Sequence, residues 1–332
     1  NLGGKIASQM PSFSEGLSLL EVRSQSGTCH LTGQISRPAA AEEDVWRALT
    51  LGVRDYVEKN GFPGVILGLS GGVDSAIVAV LAVDALGPER VRVVIMPSDY
   101  TADISLADAK ELADNLGLTL ETIALRAGMD AFDSMLEASL EGTEMDVTEE
   151  NIQSRLRGMI LMALSNKFGN MVLATGNKSE YAAGYSTLYG DMCGGFAPIK
   201  DVWKTEIFKL CEWRNTALPR GVLGPDGEVI PRRIITRPPS AELRPDQQDT
   251  DSLPPYDILD AILIALTEEM ADTDTIVSRG YERETVERVS AMLFRTEYKR
   301  FQAAPGPKVT PRAFGRDRRL PLTSGFKPHL QD

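Results

Sequence analysis

Val65-Ile-Leu-Gly-Leu-Ser-Gly-Gly-Val-Asp-Ser75 decides the architecture. A short apolar run ends in a glycine-rich turn, and Val73 to Leu86 then carries the Ala, Ile, Val and Leu content of a buried helix. The segment is strand, loop, helix. Downstream the unit repeats. Val91 to Met96 is a second strand before Pro97, and Ser105 to Leu116 has helical spacing with Gly117 beyond its end. Leu118 to Ile123 is a third strand, Thr148 to Phe168 a long helix opened by Thr-Glu-Glu, and Met171 to Ala174 a fourth strand. Alternation of this kind predicts an α/β fold: a parallel sheet with helices on both faces.

The loop carries the chemistry. In Gly68-Leu69-Ser70-Gly71-Gly72-Val73-Asp74-Ser75 the glycines let several N–H groups converge, and the following helix adds partial positive charge. An anion fits there. The GK[ST] ending of a Walker A loop is missing, so no loop lysine reaches a phosphate. Instead Asp74 follows the glycines, and a carboxylate beside phosphates needs a divalent cation between them, with Mg²⁺ the expectation. With each fixed residue of SGGxDS at roughly 5–7% frequency, chance supplies such a match in fewer than about one in a thousand chains of this length.

Composition narrows the rest. The 332 residues suffice for about two domains or one large one. Lys+Arg 35 against Asp+Glu 47 gives a net charge of -12, which opposes nucleic-acid and anionic-membrane partners. Cys29, Cys193 and Cys211 lack metal or disulfide spacing, which points to a reducing cytoplasm. His30 and His329, both near the ends, leave little for a Ser-His-Asp triad and read as surface residues. The most apolar stretch, Ala76 to Leu86, is broken by Asp84 and falls short of the ~20 residues of a membrane span. Residue 1 is Asn, and no signal peptide is apparent.

Eight of the 19 prolines fall between Pro219 and Pro255, so the sheet domain is expected to end before a loop at about 217–255, with a mobile lid as one reading. Tyr256 to Glu268 and Glu284 to Phe294 have amphipathic helical patterns. From Arg295 to Arg319 eight Lys or Arg stand against Glu297 and Asp317, either a solvated tail or a phosphate-contacting one. Leu17 to Val22 and His30 to Ile35 read as strands around a Ser-Gly turn. Two strands bury no core alone, so residues 1–38 either pad the main domain or end a domain whose larger part is absent.

Beyond the loop, Thr175-Gly-Asn-Lys-Ser-Glu180, Gly184-Tyr-Ser-Thr-Leu-Tyr-Gly-Asp191 through Gly195-Phe-Ala-Pro-Ile-Lys200, Arg237-Pro-Pro-Ser-Ala-Glu-Leu-Arg-Pro-Asp-Gln247 and Glu297-Tyr-Lys-Arg300 stand out. SGGxDS alone resembles the N-type ATP pyrophosphatases, which share an adenine nucleotide alpha hydrolase-like fold, and does not choose among them. The added segments resemble NAD synthetases, particularly the bacterial glutamine-dependent form, over about Glu42 to Pro321. The resemblance implies a ligase that amidates deamido-NAD⁺ through an adenylated carboxylate, releasing AMP and pyrophosphate. It implies that Thr175, Ser240 and Lys204 join the loop in binding ATP, and that Asn151, Arg155, Arg157, Glu180 and Lys299 bind deamido-NAD⁺. Asp74 and Glu180, at the ends of the first and fourth strands, would share Mg²⁺; the lesser alternative for Glu180 is a helix-start carboxylate facing the dipole. Where ammonia-dependent relatives carry a lysine, this chain has Leu188.

The resemblance further implies a homodimer or higher oligomer, and makes 39–332 the synthetase and 1–38 the remnant of a nitrilase-like glutaminase. Nitrogen would come from ammonia for this chain and from glutamine in a longer protein. A tRNA thiolase and a non-catalytic nucleotide-binding module are the alternatives. The acidic balance opposes the first.

Overall fold

A computed structural model describes residues 4–25 and 27–323. Its centre is a parallel sheet of β3 (Val65–Gly68), β4 (Val91–Ile95), β5 (Leu120–Thr122) and β6 (Met171–Val172) in the order β5-β4-β3-β6. Strand alternation divides the side chains. Val65, Leu67, Val93 and Ile95 enter one core, whereas Ile66, Val94 and Val172 enter another. Both faces are therefore buried, as a parallel sheet requires. The first core is closed by α1 (Ala41–Lys59), α2 (Val73–Leu86), α3 (Asp103–Asn115) and α7 (Lys204–Thr216). The second packs beneath α5 (Val147–Phe168), with α4 (Arg126–Leu136) beside it. The α/β expectation holds.

The third and fourth strands are shorter than the sequence pattern predicts. Leu118 N–H turns back to Ala113 O at the end of α3, so β5 starts at Leu120. After Val172 the chain still bonds Leu173 N–H to Ile66 O, but Ala174 N–H leaves for Phe196 O. Helix α5 is capped by Asp146, which forms a capping box with Glu149, two residues earlier than the Thr-Glu-Glu reading.

Asp84 does not interrupt α2. It is fully buried, with Arg214 Nε at 2.9 Å and Nη2 at 3.0 Å, and it accepts Trp46 Nε1–H at 2.8 Å. The proline-rich stretch is anchored rather than free. It holds α8 (Arg232–Thr236), and Val229, Ile230 and Ile234 are buried in the sheet's own core. Arg214 also donates to Pro225 O, and Leu223 N–H to Asp84 O.

A separate apolar cluster joins α6 (Lys178–Ala183), α9 (Tyr256–Ile264), α10 (Thr273–Ser278) and α11 (Arg283–Arg295). The single helix expected over 256–268 becomes α9 followed by a π-helical turn, Ala265–Glu269, which aims Glu268 at Lys178 and Trp203. Beyond lies α12 (Glu297–Arg300), where Arg300 is buried against Glu297. The following basic segment is pinned by Asp201, whose Oδ2 accepts Val309 N–H and Thr310 N–H at 2.8 Å.

The leading residues form an antiparallel hairpin, β1 (Glu21–Gln25) and β2 (Thr28–Thr32), paired strand to strand and not with the sheet. Cys29 and His30 are exposed there; His329 lies outside the described residues. Among the described residues no helix is long and apolar enough to cross a membrane.

Candidate active site at the carboxyl edge of the sheet

The turn between β3 and α2 is built from its own hydroxyls. Ser75 Oγ accepts Ser70 N–H at 3.1 Å and donates to Gly72 O at 3.0 Å, while Gly72 N–H reaches Ser70 Oγ at 3.2 Å. Gly71 has φ +81°, and a Cβ there would stand 2.4 Å from Ser105 O, so the position admits only glycine. No side chain caps α2. Its N-terminus faces the cavity, with Asp74 in the first turn and Ser70 Oγ on Gly72 N–H.

That cavity, about 270 Å³, is lined by Gly68, Leu69, Ser70, Gly72, Val73, Asp74 and Ser75. Thr175, Glu180, Lys204, Ser240 and Arg157 line it as well. These residues come from the ends of β3 and β6, from α2, α5, α6 and α7, and from the proline-rich loop. Gly71 shapes the turn without lining the cavity.

Lys204 is the pivot. Its Nζ, on a side chain only 2% exposed, pairs with Asp74 and lies 3.6 Å from Glu180 Oε1. Burial works against its charge, yet Asp74 and Glu180 outweigh burial and hold the ammonium more firmly protonated than in water. Glu180 is pushed well above the usual carboxylate range, first by burial and then by Asp74.

Asn151, Arg155 and Lys299 are not in the cavity. All three grip one loop beside it. Asn151 Oδ1 accepts from Thr187 Oγ1 at 2.8 Å, Arg155 Nε donates to Leu188 O at 3.2 Å, and Lys299 Nζ donates to Gly184 O and Ser186 O at 2.8 and 2.7 Å. That loop delivers Asp191 to the cavity wall, where it accepts Thr187 N–H at 2.8 Å.

The structure adds residues that sequence reasoning left unassigned. Asn177 donates from Nδ2 to Asp74 Oδ1 at 2.9 Å and caps α6 through Glu180 N–H at 3.0 Å. The Asn-x-x-Glu spacing of a capping box was the available signal. Asp249, which accepts Tyr256 Oη–H at 2.8 Å, and the Arg237–Glu242 pair at 3.6 Å come from the proline-rich loop; Arg237 and Glu242 lie in a segment the sequence singles out, whereas Asp249 carries no local signature.

The charged lining residues are five carboxylates, Asp74, Glu180, Asp191, Glu242 and Asp249, against three cations, Arg157, Lys204 and Arg237. A polyphosphate meets a negative surplus there unless a cation accompanies it. Among the described residues no three His, Cys, Asp or Glu form a metal cage. Mg²⁺ needs none, since it takes one or two carboxylates and fills its octahedron with water and phosphate oxygens; Asp74 and Glu180 fit that donor set.

Fold and cavity define a parallel α/β domain with an anion cradle at a strand-to-helix turn, in the place where such sheets bind nucleotides. The chain belongs to the NAD synthase family, whose model matches residues 45–303. A glutamine-dependent NAD(+) synthetase of Rhodobacter capsulatus is 50% identical over 328 residues, covering 98% of this chain and 59% of the relative. The chain thus spans little more than half the length of such curated relatives. Among solved structures, the glutamine-dependent NAD+ synthetase of Acinetobacter baumannii in complex with ADP is 47% identical with TM-score 0.59, over 88% of this chain and 52% of that one. NMN synthetase of Francisella tularensis is 27% identical with TM-score 0.64, over 82% and 99%.

Proposed function

We propose that this chain catalyses ATP-dependent amidation of deamido-NAD⁺ to NAD⁺. The observation that carries the reading is the convergence of Asp74, Glu180 and Lys204 at the mouth of the uncapped α2 cradle, in a chain of the NAD synthase family. In this reading the nicotinate carboxylate oxygen attacks the α phosphorus of ATP and the bond to the β-phosphate oxygen breaks. Pyrophosphate leaves toward the Ser70 to Ser75 loop, whose N–H groups and the α2 dipole take up its charge. Ammonia then attacks the acyl carbon of the mixed anhydride, AMP leaves, and the extra amine proton passes to solvent. No side-chain nucleophile is required. Rate comes from positioning and from fixed charge.

Asp74 and Glu180 would hold Mg²⁺, which supplies neutralisation of phosphate charge. Thr175, Ser240 and Arg157 border the same space and are assigned to ATP and, for Arg157, to deamido-NAD⁺. Asn151, Arg155 and Lys299 are assigned to the dinucleotide through the 184–188 loop. Asn151 and Arg155 lie on a side of α5 that also carries exposed Met159 and Met162, which supports at least a dimer. Unpaired Cys29, Cys193 and Cys211 support a cytoplasmic setting. Ammonia is the nitrogen source assigned to this chain, and glutamine to a longer protein carrying an amidase.

The test is incubation with Mg-ATP, deamido-NAD⁺ and ammonium. NAD⁺ and AMP should form in equal amounts, and glutamine in place of ammonium should support none. A mononucleotide analogue accepted as readily as the dinucleotide would overturn the substrate assignment, and ATP binding without AMP release would leave a nucleotide-binding module.

A further inference from the structure

Helix α7 begins at Lys204, and the residue in its capping position, Trp203, offers no side-chain acceptor. The acceptor comes from elsewhere. Asp260, on α9 and 1% exposed, accepts Thr205 N–H and Thr205 Oγ–H through Oδ2, each at 2.8 Å. Its other oxygen accepts Ser179 Oγ–H, and Ser179 Oγ in turn accepts Lys204 N–H at 2.9 Å. One carboxylate of the C-terminal helical cluster thereby holds the residue before Glu180 and the residue after Lys204. Both oxygens are used, and Ser179 and Lys204 are themselves almost fully buried. A carboxylate at a helix N-terminus is also favoured by the dipole, which adds to the hold on α7.

We infer that Asp260 is a positioning residue for the reaction: it fixes the start of α7 against the start of α6, and so sets Lys204 between Asp74 and Glu180. It touches no reacting atom. Its effect passes through Ser179 and Thr205 to Glu180 and Lys204, the residues assigned above to Mg²⁺ and ATP, and misplacement by about 1 Å at such a site costs on the order of 10²-fold in rate. The inference rests on the proposed ligase reading for its kinetic readout.

The experiment compares Asp260→Asn and Asp260→Ala with wild type in three readouts: Mg-ATP binding by calorimetry without the second substrate, steady-state NAD⁺ formation, and melting temperature. Asp260→Ala should weaken Mg-ATP binding and raise the KM for ATP by about tenfold, and lower kcat on the order of 10²-fold, with the KM for deamido-NAD⁺ within about twofold. Asp260→Asn keeps an acceptor for Thr205 and should fall between. Equal kcat and ATP affinity in the folded fraction, with only the melting temperature lowered, would overturn the inference, as would equal losses for both substrates. Should Asp260→Ala fail to fold, Ser179→Ala and Thr205→Val each remove a single hydroxyl, and ATP affinity unchanged in both would equally overturn it. If wild type binds Mg-ATP but makes no NAD⁺, the ligase reading fails and the calorimetry alone judges Asp260.

Discussion

Asn177 Nδ2 lies 2.9 Å from Asp74 Oδ1, joining the turn after β6 to the turn after β3 across the carboxyl edge of the sheet. The same side chain caps α6. Its two tasks separate by length. Asn177→Ser retains a good N-cap but cannot span to Asp74, so stability should change by less than about 1 kcal/mol. AMP formation should fall about tenfold, because a charge-assisted hydrogen bond holding Asp74 is gone. Asn177→Ala should lose a further ~1 kcal/mol. Thermal melts read against AMP release check both; equal AMP rates in wild type and the serine variant would remove Asp74 positioning from the role of Asn177.

Asp74→Asn keeps shape and removes charge at the mouth of the α2 cradle. AMP formation should drop ~10²–10³-fold, the usual cost of losing one charge-stabilising group, with the fold retained in circular dichroism. Near-full turnover would mean that Asp74 does not serve the phosphates.

The Asp84–Arg214 pair bears on stability and not on chemistry. Arg214→Met leaves a fully buried carboxylate without its cation, and should cost about 3–5 kcal/mol in denaturant unfolding while the folded fraction keeps wild-type kinetics. Asp84→Leu combined with Arg214→Met should recover much of that loss, though not all, because Trp46 Nε1–H then lacks its acceptor.

Asp249 gives a pH signature. Burial, the largest cause, raises its carboxyl above the ordinary value even though Lys204 and Tyr256 pull it down. The folded chain therefore keeps the proton at a pH where the unfolded chain has released it. The stability this group contributes is complete below the ordinary carboxylate range and is lost as pH rises through the raised value. Asn cannot titrate. Asp249→Asn should gain stability relative to wild type between about pH 4 and about pH 7, measured by unfolding at both ends; a difference independent of pH would contradict the raised value.

Much of this was legible in the chain. Val65 to Ser75 betrayed strand, turn and helix because a β run, glycines and a largely apolar helix follow one another within a few residues, and the parallel sheet followed from repetition of that unit. Helix α1 went unread, although it buries Trp46, Leu49, Val53 and Val57. Within the site, Asp74, Glu180 and Lys204 were nameable, but their meeting was not, since it depends on how three connections cross one sheet edge. Asp84 looked like an interruption because its partner Arg214 is 130 residues away. Asp260 and Asp249 carried no sign at all: each acts through contacts with residues distant in sequence or through burial, which local pattern does not encode.

The central claim is that the nicotinate carboxylate is adenylated by ATP before ammonia arrives. Deamido-NAD⁺ carrying ¹⁸O in that carboxylate, turned over with Mg-ATP and ammonium, tests it most directly. The account predicts AMP bearing one ¹⁸O in its phosphate for each NAD⁺ formed, since the oxygen that attacks phosphorus leaves with AMP. NAD⁺ formed alongside unlabelled AMP would contradict it.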